Sequence, residues 1–233
     1  MYYWLNVSQE NKGIISTFLS VVLLASSPIL YKFGLGNIYP IHAATLWFVC
    51  NTIFSIINID LRKIIIEKKV FSKLLVISAC SSSALVFLFY SLAILDPSTV
   101  AFANRSYILF IILLGIIALK ERVQKIQLYF IALNIIGLFL FAYKGLDYSH
   151  YAPIIYAILS AFLFAYSNMQ SKLILKVITP SFVNFYSNLL SSILLCPFFF
   201  LEDIRNLSLN SSIIYILVAS FTGGGLFRNA FIL

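Results

Sequence analysis

The sequence predicts an all-α membrane protein, a polytopic bundle of transmembrane helices. Three observations predict it. Of 233 residues, 61% are hydrophobic and only 10% charged, where soluble domains carry about 25% charged residues. The apolar residues are gathered into long runs with short links between them, and a helix needs about 20 such residues to cross a hydrocarbon core of about 30 Å. Within the runs, apolar and polar residues do not alternate with period two, which excludes the strands of a membrane barrel.

Eight runs carry this pattern: 13–35, 40–59, 72–95, 97–119, 124–143, 151–174, 180–201 and 211–233. The first follows MYYWLNVSQENK, which lacks the basic start and short apolar core of a signal peptide, so the first helix inserts and stays. Pro28 and Pro197 lie within spans as kinks. The third run holds Ser78, Ala79, Ser81, Ser82, Ser83 and Ala84, small residues that let a neighbouring helix approach closely. Pro97, Pro153 and Pro180 stand at helix starts, where a missing N–H costs little. Gly223, Gly224 and Gly225 in the eighth run serve close packing or flexing. They lack the Lys-Ser/Thr of a phosphate loop.

The net charge of +8 is arranged as a topology signal. Lys and Arg cluster in and beside the 60–71 link (Arg62, Lys63, Lys68, Lys69, Lys73), at Lys120, Arg122 and Lys125, and at Lys172 and Lys176. The alternate links hold none at 36–39 and 96, only Lys144 in 144–150, and only Arg205 in 202–210. By the positive-inside rule this places the N-terminus and the basic links in the cytoplasm. A nucleic-acid partner is not expected. Cys50, Cys80 and Cys196 all fall inside spans without CxxC spacing, and read as buried packing residues.

An internal repeat organises the chain. Ala25, Ser27, Lys32 and Pro40 fall on Ala165, Ser167, Lys172 and Pro180, all 140 positions on, with Leu19 and Ser20 on Leu159 and Ser160. FYSLAIL (89–95) meets FRNAFIL (227–233) 138 positions on. The unit is five helices, 13–143. An odd number makes the second copy enter the membrane from the opposite side, the arrangement of secondary transporters. The expected organisation is a cytoplasmic tail at 1–12, a first repeat at 13–143, a linker at 144–150 and a second repeat at 151–233.

Three stretches carry a family resemblance. LLGIIALKERVQKIQLYFIALNIIGLFLFAY (113–143) resembles the junction of the fourth and fifth helices in the drug/metabolite transporter superfamily, EamA type. Glu121, Arg122 and Gly137 match, with Lys120 where glycine is usual. SLAILDPSTVAFAN (91–104) is similar to that family's third-to-fourth turn, and LLASSPILYKFGL (23–35) to its first helix. The resemblance implies ten helices in two five-helix halves and movement of small metabolites across a bacterial inner membrane. Against that pattern the second repeat has three helices and the chain is truncated after its eighth helix. The alternative readings are a non-functional or assembly-dependent transporter fragment and a membrane-embedded transferase.

Three basic residues fall within spans, and an ionisable intramembrane group marks function. Lys32 lies in the last turn of the first helix, within snorkelling reach of the outer interface. Arg105 is about 12 Å along the fourth run. Arg228 lies past the middle of the eighth. No Asp or Glu lies deep in a span, so an anionic or zwitterionic solute is the expected counterpart. Polar neighbours complete the candidate path: Asn104, Asn229, Tyr31, Tyr90, and Tyr166, Asn168, Gln170 and Ser171 on the sixth run. In the resembled family the helices bearing them surround the central path; interhelical hydrogen bonding is the competing use. Arg105 is expected to face the first, third and sixth helices. His42 and His150 are far apart, no HExxH or paired span aspartates exist, and no nucleophile sits beside a base, so no enzyme activity, cofactor or metal is expected. The partners expected are membrane lipids and a small metabolite, with homodimerisation left open.

Overall fold

A bilayer core offers no water to backbone N–H and C=O groups, and a helix satisfies them within one segment. The computed structural model describes residues 18, 26–56, 68–119, 126, 129, 131–133, 135–137, 151–175, 177–201 and 211–221. Every regular element among them is a helix. In chain order these are α1 (26–34), α2 (Pro40–Ile56), α3 (Lys68–Ile94), α4 (Pro97–Asn104), α5 (Tyr107–Leu119), α6 (described at 126, 129, 131–133 and 135–137), α7 (Tyr151–Ile174), α8 (Pro180–Phe199) and α9 (Ser211–Ser220). Four stretches are long and apolar enough to cross a membrane: Val70–Ile94, Pro97–Ala118, Tyr151–Ile174 and Pro180–Phe199.

Proline sets the helix starts. Pro40, Pro97 and Pro180 each open a helix, and Pro153 lies in the first turn of α7. There the ring's fixed φ suits the helix and its absent N–H would have been unpaired anyway. Asp96 and Thr179, just ahead of two of them, are extended (φ −67°, ψ 145° and φ −69°, ψ 150°), as the clash with the following ring requires.

The helices pack as antiparallel pairs. On α2 and α8, His42 Nε2 lies 3.0 Å from the Phe199 carbonyl at one end, and Asn184 Nδ2 donates to Ser55 Oγ at 3.2 Å at the other. On α3 and α7, Ser81 and Ser167 hydroxyls meet at 2.6 Å, while Phe87 stacks on Tyr156 nearer the start of α7. On α1 and α9, Tyr31 OH reaches the Ala219 carbonyl at 3.4 Å and Asn37 Nδ2 reaches Ser212 Oγ at 3.3 Å. Further links join α3 to α8, through Ser191 Oγ donating to the Ser78 carbonyl at 3.1 Å, and α2 to α9, through Phe54 on Phe221.

Small residues make these approaches. Ser78, Ser82 and Ala84 on α3 are buried, as are Ala157, Ser160, Ala161, Ala165 and Ser167 on α7. Of the small-residue run in the third helix, Ser78, Ser82 and Ala84 do the packing expected of it, while Ser83 is exposed. Larger side chains fill the space where α1, α2, α3 and α9 converge: Tyr31, Phe48, Leu85, Phe89, Leu92 and Ile216. A second cluster of Leu74, Ile77, Ile174 and Val183 joins α3, α7 and α8. Outside, Ile108, Leu113 and Ile117 on α5, Ile155 and Phe162 on α7, and Ile193 and Phe198 on α8 are exposed. So broad an apolar surface would aggregate in water and is at ease in hydrocarbon.

The run 97–119 forms one span over Pro97–Ala118 as expected, with a tight turn at 105–106 where α4 ends at Asn104 and α5 starts at Tyr107. One expectation is corrected: the cysteines are not all buried. Cys50 and Cys80 are half-buried, and Cys196 is exposed on α8 in the company of exposed Ile193 and Phe200, one helical turn to either side. In a lipid-facing surface an apolar thiol loses nothing by facing outward.

Candidate functional site

The break between α4 and α5 is a local tightening and the chain does not reverse there. Arg105 keeps helical angles (φ −62°, ψ −19°). Its N–H bonds to the Phe102 carbonyl, that of Ser106 to Ala103, and that of Ile108 to Arg105, at 3.0, 3.2 and 3.1 Å. These bonds span three residues, the 3₁₀ pattern, where an α-helix would span four. Ser106 Oγ also donates to the Ala103 carbonyl, at 2.8 Å. Regular α-bonding resumes with Phe110 N–H on the Ser106 carbonyl.

Four polar groups flank this turn. Arg105 is exposed, and among the described residues its guanidinium has no hydrogen-bond or ion-pair partner. Asn104 is half-buried; its Oδ1 is shielded and has no partner. Tyr107 OH accepts from Asn168 Nδ2 at 2.8 Å, tying α5 to α7. Phe110 packs edge-on against Phe162 on the same two helices. Through Tyr107 the structure links Asn168 to the turn that bears Asn104 and Arg105.

The remaining candidates divide differently. On α7, Tyr166 and Gln170 are half-buried, and Ser171 Oγ donates to the Ser167 carbonyl one turn back at 2.9 Å. Tyr90 is half-buried on α3. Tyr31 is packed at the junction of α1, α2, α3 and α9: its ring lies 4.9 Å from that of Phe89, and its hydroxyl accepts from Trp47 Nε1 at 2.8 Å. Lys32 points to the end of α3, with Nζ at 2.8, 3.0 and 3.2 Å from the carbonyls of Leu92, Leu95 and Ala93. Arg228 and Asn229 lie outside the described residues, as do Glu121, Arg122 and the triple glycine.

Sequence reasoning passed over several polar positions. Tyr107 reads as one more aromatic in an apolar run. His42 is buried, and because a carbonyl only accepts, its Nε2 must carry the proton it shares with Phe199. Between α2 and α8 runs a buried seam: Asn188 Nδ2 donates to Asn184 Oδ1 at 3.0 Å, Asn184 to Ser55, and Ser55 Oγ to the Asn51 carbonyl. The signal was present. Asn51 and Ser55, like Asn184 and Asn188, are four apart and share a helix face. Among the described residues no three His, Cys, Asp or Glu side chains gather as a metal site.

Comparison with known proteins bears on what this arrangement serves. The model of the EamA-like transporter family matches two segments, 11–143 and 152–232. Among curated proteins, none matches significantly. A protein solved by crystallography is similar in fold, with a TM-score of 0.68 at 15% identity over 97% of this chain and 79% of that one.

Proposed function

The chain belongs to the EamA-like transporter family, and on that premise we propose that it moves a small anionic or zwitterionic metabolite by alternating access. One observation carries the proposal. Arg105 stands about 12 Å into the Pro97–Ala118 span with no protein partner among the described residues. Facing lipid there would cost about 2.5–3.5 kcal/mol on insertion scales. A solute carboxylate or phosphate would instead meet a planar fork of donors.

The two halves act as inverted copies in this reading. Three features support that. The family match falls in two segments that divide at the 144–150 linker. The second helices of the halves, α2 and α8, pack on each other antiparallel, which a two-fold axis perpendicular to them would produce. The same axis exchanges α1 with α7 and α3 with α9, and the α1–α9 and α3–α7 pairs are both antiparallel. Such an axis lies in the membrane plane. The charge pattern supports a cytoplasmic N-terminus, and the proposal takes the membrane to be the bacterial inner membrane.

Proteoliposomes loaded with a panel of radiolabelled amino acids and small carboxylates test the proposal by exchange. Arg105→Leu should insert at least as well as the parent and cut exchange about a hundredfold. Arg105→Lys should cut it about tenfold, since charge survives and the bidentate geometry does not. Unaltered exchange in Arg105→Leu, with a loss of melting temperature, would make the residue structural and refute the site.

A further inference from the structure

An ammonium has three N–H donors and no acceptor. Lys32 Nζ has three carbonyls within hydrogen-bond distance, those of Leu92, Ala93 and Leu95, so each donor has a partner. These belong to the last turn of α3 and the residue after it, where a helix leaves carbonyls without intrahelical donors and carries the negative end of its dipole. The preceding residue cannot move freely: Tyr31 is buried against Phe89 and bonded to Trp47 and Ala219. Lys32 is therefore held from behind and engaged at its tip.

What it holds is the elbow between α3 and α4. Leu95 is buried, its N–H bonds to the Ser91 carbonyl and its own carbonyl to Lys32. Asp96 then turns the chain, extended, into Pro97. The usual fixture of such a start is missing, for the Asp96 side chain makes no cap bond to the first N–H groups of α4. One short helix separates this elbow from Arg105. The direction of that helix is set where the chain leaves α3.

We infer that Lys32 is a positioning residue: it fixes the α3–α4 elbow, and through α4 the placement of Arg105, and does not itself contact the transported solute. The importance of Arg105 rests on the proposed function; the role of Lys32 at the elbow stands on its own geometry. Its three carbonyls leave the ammonium no donor for a solute, whereas the Arg105 guanidinium has all of its donors to offer.

Hydrogen–deuterium exchange of the full chain in lipid nanodiscs, read by mass spectrometry without any solute, tests this. Lys32→Met keeps length and loses every donor. Amides of 95–100, including that of Val100 on the Asp96 carbonyl, should exchange about tenfold faster or more, while peptides of α8 are unchanged. Lys32→Arg, which can still donate to several carbonyls, should return the elbow to within about threefold of the parent. Unchanged elbow exchange in Lys32→Met overturns the inference, and so does an equal rise in α8, which would mean general loosening. If Lys32→Met does not accumulate, Lys32→Leu is read the same way: a rise confined to the elbow supports the role and none overturns it. Exchange needs no substrate, so a failed Arg105 experiment leaves this result standing.

Discussion

Gly34 packs directly against α9, and adding one methyl there has a calculable effect. A Cβ on Gly34 would lie 2.5 Å from Ile216 Cδ1, 2.7 Å from Ile216 Cγ1 and 3.2 Å from the Ser212 carbonyl oxygen. Ordinary carbon contacts lie at about 3.5–4.0 Å. Ile216 is fully buried, so its side chain has no open space to swing into, and the Ser212 oxygen is backbone. The two helices must therefore move apart by about 1 Å, at the usual cost of overpacking, about 1–3 kcal/mol. The interhelical bonds of Tyr31 to Ala219 and Asn37 to Ser212 are already long, at 3.4 and 3.3 Å. Separation would break both, at about 0.6 kcal/mol each. Against these losses, alanine in place of glycine favours the helix by about 1 kcal/mol.

The balance is a net loss of about 2 kcal/mol, or about 4–8 °C in melting temperature for a chain of this size. Melting of the purified protein in detergent, followed by fluorescence-detected gel filtration, reads it. A second substitution makes the test specific. Ile216→Val removes the clashing Cδ1 and alone costs about 0.5–1.5 kcal/mol. In the double variant the two losses should fall short of additive by about 1 kcal/mol, because valine removes the 2.5 Å contact that penalises Gly34→Ala while the γ-carbon contact at 2.7 Å remains. A higher melting temperature for Gly34→Ala, or strictly additive losses, would show that α1 and α9 do not pack in this register.

Two other outcomes follow from contacts that cross the bundle. His42→Leu removes the donor to the Phe199 carbonyl and should cost about 1–3 kcal/mol in the same melting assay, while His42→Gln, which can still donate, should recover most of it; equal losses would refute the bond. Single cysteines at Lys68 and Val177, in a background without native cysteines, should label with an impermeant maleimide from the cytoplasmic face and one at Asp96 from the outer face. Labelling of Lys68 and Asp96 from one side would exclude a spanning α3.

The fold was legible because the bilayer simplifies the code. Helices at Pro40, Pro97, Tyr151 and Pro180 begin where the apolar runs and their prolines said they would. Small residues on α3 announced close neighbours: Ser81 meets Ser167 of α7, and the Ser78 carbonyl meets Ser191 of α8. The break at Arg105 was not legible. Ser106 turns its hydroxyl back on the Ala103 carbonyl, but Ser192 does the same to Leu189 within an unbroken α8, so no residue type there marks the break. Lys32 was equally ambiguous. Its position near a span end was readable, but the three carbonyls it meets lie about sixty residues further on and are brought there only by the packing of α1 on α3.

Polarity within a span does not by itself mark a path; the destination of each hydrogen bond does. Thr45, Thr52, Ser78 and Ser171 donate to the carbonyl one turn back and are satisfied within their own helices. Ser81 with Ser167, and Asn184 with Ser55, bond across helices and act as glue, each pair adding about 0.6 kcal/mol. Ser91 and Ser160 have no partner for their hydroxyls, but both are completely enclosed in the α3 and α7 packing, where the size of serine is what the close approach requires. Arg105 fits none of these uses: it is charged, set deep in its span, exposed, and unmatched among the described residues. Asn104, next to it, has a shielded oxygen with no donor. An exposed guanidinium in mid-span is what the proposed recognition of a solute carboxylate or phosphate would require.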